Sequence, residues 1–161
     1  MERNEFINFM NTHKIYWREE DGKIHVINSG DINIFTDIPS GVIFDNTGNI
    51  ELRTKYIPSG TRFNNSGWID GFGTEEIGDN VIFDNRSHAI LNSLKKIGEN
   101  VTFNGKEYSV YFTHLPVLSK GIRFFIGGEI HSKNKGLTDS PNLKGISSSK
   151  IINCMISQLY G

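Results

Sequence analysis

The chain has a single cysteine, Cys154, among its 161 residues. That excludes an intramolecular disulfide framework and a multi-cysteine zinc site, and Cys154 is expected to be a buried, unreactive thiol. No positively charged start leads into an apolar run of signal-peptide length, and no stretch approaches the roughly 18 apolar residues of a membrane span. The expectation is a soluble protein of the cytoplasm that is not membrane-associated. The five histidines, His13, His25, His88, His114 and His131, show no i,i+4 ligand spacing and no pairing with the lone cysteine. Zinc and nucleophilic chemistry are therefore not expected. No glycine-rich phosphate loop stands at a strand-to-helix junction, and the Gly71-Phe72-Gly73 triplet is too short a signal to count as one. No catalytic residue, metal or cofactor is assigned. Hydrophobic residues make up only 37% of the chain, which suits a narrow solenoid whose coils each expose a surface.

What the chain does have is a repeat. An aliphatic residue opens a segment whose phenylalanine follows six positions later at Ile38/Phe44, Ile57/Phe63, Ile77/Phe83, Ile97/Phe103 and Leu118/Phe124. The openings stand about 20 residues apart, a solenoid period. Within a unit the alternation is that of a strand, with Val42 and Phe44 on one side and Ile43 and Asp45 on the other. A second short strand per coil is expected at Ile50 and Leu52, Ile69 and Gly71, Ala89 and Leu91, and Val110 and Phe112. The third residue after each opening is Gly41, Gly60, Asn80, Asn100 or Gly121. Glycine and asparagine tolerate a left-handed backbone, so a turn with positive φ is expected at each. Asn46, Asn65 and Asn85 recur two residues after the phenylalanine, and stacked amides satisfying backbone groups at a bend are their expected role.

Together these features predict a mainly β single domain spanning 1–161, a parallel β-solenoid of five to six coils of about 20 residues. A helical cap is expected over residues 1–21, where Phe6, Ile7, Phe9 and Met10 form an apolar stripe. Solenoid coils are expected over 22–131 and a basic, flexible loop over 132–149. Ile151, Ile152, Met155, Ile156 and Leu159 then predict a C-terminal helix over 150–161. A leucine-rich-repeat horseshoe is the alternative architecture.

The run IPSGVIFDNTGNIELRTKYIPSGTRFNN resembles the LPEGVKFNNGGDVYL-type repeats of uncharacterised phage and bacterial proteins. The opening, HKIYWREEDGKIHVINSGDINI, is similar to the start of phage leucine-rich-like proteins. The resemblance covers residues from about 13 to 126 and is clearest in the first two full units. It implies a parallel β-solenoid of phage ancestry working in the host cytoplasm, and it carries over no catalytic residue.

Trp68, His88, Ile90 and Tyr111 fall at outward positions of the second strand on successive coils and form a candidate protein-binding patch. Glu51 and Asp70 occupy one outward position on consecutive coils, near the carboxylate separation of retaining glycosidases. Lys95, Lys96, Lys106, Lys120 and Arg123 form a candidate basic face. Residues 1–80 carry 13 acidic and 7 basic side chains, a balance of −6, whereas residues 81–161 carry 5 and 10, a balance of +5. The rod is thus expected to be acidic at one end and basic at the other. The leading expectation is a non-enzymatic protein-binding solenoid, a phage-encoded inhibitor or modulator of a host protein of the anti-defence or anti-CRISPR type, acting by steric blockage. The alternatives are a carbohydrate-binding or glycoside-cleaving β-helix, a nucleic-acid binder using the basic half, and a subunit of a homo-oligomer.

Overall fold

The computed structural model describes residues 2–105, 109–112, 117–126 and 130–131. The 132–149 loop, the 150–161 helix, Cys154, His114 and Lys106 lie outside the described residues. The rest is mainly β and winds as a parallel solenoid of about five turns.

Each full coil contributes three strands rather than the two read from the sequence. The first sheet contains Lys23–Asn28, Ile43–Asn46, Arg62–Asn65, Ile82–Asn85, Thr102–Gly105 and Arg123–Ile126. The second stacks Ile32–Ile34, Ile50–Leu52, Ile69–Asp70, Ala89–Ile90, Val110–Tyr111 and Ile130–His131. The third stacks Tyr56–Ile57, Glu76–Ile77, Lys96–Ile97 and Val117–Leu118. The repeat's opening aliphatic residues are thus themselves strand residues. Ile57, Ile77 and Ile97 are completely buried, while their neighbours Tyr56 and Lys96 face outward. With strand at all three sides of a coil, the horseshoe alternative is set aside.

The register explains the periodic phenylalanine. Phe44, Phe63, Phe83, Phe103 and Phe124 are Cα partners in succession. Their ring centroids stand 4.9–5.0 Å apart and their planes diverge by only 3–9°. Isolated aromatic pairs favour offset or edge-on geometry. Here the interstrand rise of about 4.8 Å imposes the parallel stack.

The turn joining the third strand to the next coil's first strand behaves as its sequence requires. Gly41, Gly60 and Gly121 each have φ of 77°, and Asn80 and Asn100 have φ of 57° and 56°. At the next corner Asn46 donates from Nδ2 to the Gly48 carbonyl and to Asn65 Oδ1, and Asn28 Nδ2 donates to Asn46 Oδ1. Asn65 and Asn85 donate in the same way to the Gly67 and Ser87 carbonyls. The side-chain ladder stops between coils because Asn65 turns its second bond to the Trp68 carbonyl, leaving Asn85 Oδ1 without a partner among the described residues.

The first end of the rod is closed by two devices. Helix α1 (Glu2–Thr12) buries Phe6 and Met10 completely, and Phe6 meets Phe44 edge-on at 6.4 Å and 81°. Within the segment read as a helical cap, Trp17–Glu20 forms a strand that pairs antiparallel with Lys23–Asn28. Asp21 and Gly22 turn the hairpin with φ of 53° and 75°, the paired positive values of a type I′ turn. Its exposed Arg18, Glu19 and Glu20 make the outer edge of the first sheet unattractive to another strand.

Candidate functional site

The outward face of the second sheet carries the residues that the sequence singled out. Its strands bury Ile50, Ile69, Ala89 and Val110, so the intervening side chains must point away from the core. They form two adjoining columns. One runs Asn33, Glu51, Asp70, Ile90 and Tyr111 by direct pairing. The other runs along the preceding positions, Asp31, Asn49, Trp68 and His88. It is held by Asp31 Oδ1 accepting the Asn49 N–H and Asn49 Oδ1 accepting the Trp68 N–H, each at 2.8 Å.

The structure therefore brings Trp68, His88, Ile90 and Tyr111 together on one face. It places the carboxylates Glu51 and Asp70 in the same column as Ile90 and Tyr111. Trp68 is 53% exposed, whereas His88, Ile90 and Tyr111 are half-buried. His88 and Tyr111 meet edge-on at 5.5 Å, and His88 Nδ1 is buried with no hydrogen-bond partner among the described residues. Phe72, which follows this strand at the corner, is 71% exposed; the sequence reading left it out of the patch.

Trp68, Glu51 and Asp70 also line one shallow groove, together with Asp31, Asn33 and Asn49. Arg53 places Nε and Nη2 on the same oxygen of Glu51, Oε1, each at 2.8 Å. Asp70 has no ion pair among the described residues. Burial pushes its carboxyl above the ordinary value of 3.8, and the neighbouring Glu51 charge pushes it further, against the opposing pull of a hydrogen bond from the Phe72 backbone. Asn33 Oδ1, in the same groove, is buried and without a partner among the described residues.

The candidate basic face does not form one surface. Lys96 projects from the third sheet and pairs with Glu76 at 3.5 Å, while Lys95 beside it pairs with Glu75 at 3.3 Å. Arg123 projects from the first sheet, and Lys120 sits at the turn between the third and first sheets. Among the described residues no group of three or more His, Cys, Asp or Glu side chains could hold a metal ion. No helix among them is long and apolar enough to cross a membrane.

What fold and site define together is a class, a capped parallel β-solenoid with one aromatic and acidic face. No family model, curated protein or solved structure matches the chain.

Proposed function

We propose that this solenoid is a non-enzymatic binding protein that docks on another protein through the outward face of its second sheet. The observation that carries this reading is Trp68, a large side chain left more than half exposed on a hydrogen-bonded parallel sheet, beside Ile90, His88 and Tyr111. An aromatic anchor held by a rigid scaffold loses little conformational freedom on binding, which is what an interface hot spot needs. The repeat's resemblance to phage proteins makes a host protein the partner and steric blockage the mode of action, as in an anti-defence or anti-CRISPR inhibitor.

Glycoside cleavage fits less well. Glu51 and Asp70 project side by side from one sheet surface, whereas hydrolysis requires carboxyl groups flanking the scissile bond. A nucleic-acid role is weakened by the pairing of Lys95 and Lys96 with glutamates and by the dispersal of Lys120 and Arg123 over other faces. The test is affinity capture of host proteins by wild type and by the folded double variant Trp68→Ala, Ile90→Lys. A partner retained by wild type and lost by the variant supports the docking face. Equal capture by both proteins overturns it.

A further inference from the structure

We propose that the groove between Trp68, Glu51 and Asp70 receives a basic side chain, arginine or lysine, presented by the partner protein next to an apolar residue that lies on Ile90 and Tyr111. This rests on the docking face proposed above and specifies the chemistry of what docks there. The face is divided along the solenoid axis. Toward the N-terminal coils its side chains are Asp31, Asn33, Asn49, Glu51 and Asp70, and toward the C-terminal coils they are Ile90, His88 and Tyr111.

The acidic part is under-compensated. Glu51 and Asp70 are Cα partners, which sets their backbones about 4.8 Å apart. Arg53 occupies only one oxygen of Glu51, and Asp70 pairs with no cation among the described residues. The raised pKa of Asp70 has the same origin, since the groove desolvates an anion that already faces another. A guanidinium or ammonium entering between them relieves that repulsion and gains charge-assisted hydrogen bonds to carboxylate oxygens. The indole of Trp68 at the groove wall adds a cation–π contact.

A neutral saccharide also stacks on an indole and can donate hydroxyl hydrogen bonds to the carboxylates, but it brings no positive charge to offset theirs. A second copy of the chain docking the same face upon itself is a poorer source of that cation, because the basic side chain that the described residues place there, Arg53, is already held by Glu51.

The probe is the peptide acetyl-Leu-Arg-Leu-amide, titrated into the ¹⁵N-labelled full chain while the Trp68 indole N–H and the Asp70 amide are followed by NMR. Its neutral isostere acetyl-Leu-citrulline-Leu-amide and N-acetylchitotetraose are run beside it. The arginine peptide is expected to shift both signals, with binding at least about ten-fold weaker for the citrulline peptide and for Glu51→Gln, Asp70→Asn. Equal binding of the two peptides, no shift with arginine, or a saturable shift with the saccharide instead overturns the proposal.

Capture experiments separate this failure from failure of the docking face. If Trp68→Ala, Ile90→Lys loses the partner and Glu51→Gln, Asp70→Asn keeps it in full, the face stands and the cation site falls. If only the carboxylate variant loses it, the aromatic docking face falls, and the Trp68 and Ile90 contacts of the present proposal fall with it.

Discussion

Asn46 and Asn65, 19 residues apart in the chain, share a buried side-chain hydrogen bond of 3.0 Å across two stacked coils. Asn46 also donates to the Gly48 carbonyl and accepts from Asn28, so one amide closes its own corner and ties three coils together. Asn46→Ala is expected to leave the buried Asn65 Oδ1 unpaired, at about 1–3 kcal/mol, and to cost further at the part-buried Gly48 carbonyl. Asn85→Ala should cost less, because Asn85 Oδ1 has no partner to lose among the described residues. Urea unfolding of the two variants checks this ranking, and the reverse order would show that the amide ladder does not matter.

Phe83 lies at the middle of the ring stack, fully buried between Phe63 and Phe103. Phe83→Ala opens a cavity that neighbouring rings fixed by strand register cannot collapse into, and about 3–5 kcal/mol of stability should be lost. Phe124→Ala, at the end of the described stack, should cost less. Thermal or urea midpoints distinguish the two positions.

Gly60 has φ of +77°, and a Cβ there would come no closer than 3.8 Å to the Gly41 backbone. The space is free and only the backbone conformation objects. Gly60→Ala should therefore cost about 1–2 kcal/mol. An unchanged unfolding midpoint would mean that the turn relaxes out of the left-handed region.

For Asp70 the sign follows from a carboxyl whose folded-state pKa lies above its ordinary 3.8, through burial and then through Glu51. Its contribution to stability is complete below about pH 3.8 and is lost as pH rises through the raised value, so at neutral pH the anion weighs against the fold. Asp70→Asn should melt at a higher temperature than wild type at pH 7, and the gap should close below about pH 4. Melting curves across that interval would expose the opposite trend if Asp70 were stabilised by an ion pair.

The coil, its Phe stack and its left-handed turns were legible in the sequence because each is a period-locked restriction. A ring recurs at one register, and Gly or Asn recurs where φ is positive, as at Gly60 and Asn80. The third sheet was not legible. Tyr56–Ile57 and its stacked copies are two residues long, too short to show alternation. The edge strand Trp17–Glu20 was hidden for another reason, since three of its four residues are charged and exposed. At the site, the outward placement of Trp68, Ile90, Glu51 and Asp70 could be read from alternation. The groove depends on how neighbouring coils overlap, which no single repeat encodes, and the Arg53 contact with Glu51, two residues apart in one coil, depends on side-chain conformation that alternation does not specify.

The edge-on contact of Phe6 with Phe44 closes the ring column at its first step, while every later step is the same ring-on-ring increment. Length is therefore a counted quantity in this molecule. Copying one unit, such as residues 78–97, in tandem should extend the rod by a single rise of about 4.8 Å and leave the sealed end unaltered. The reach of the docking face can then change through whole-unit duplication, a route open to recombination without any redesign of the core.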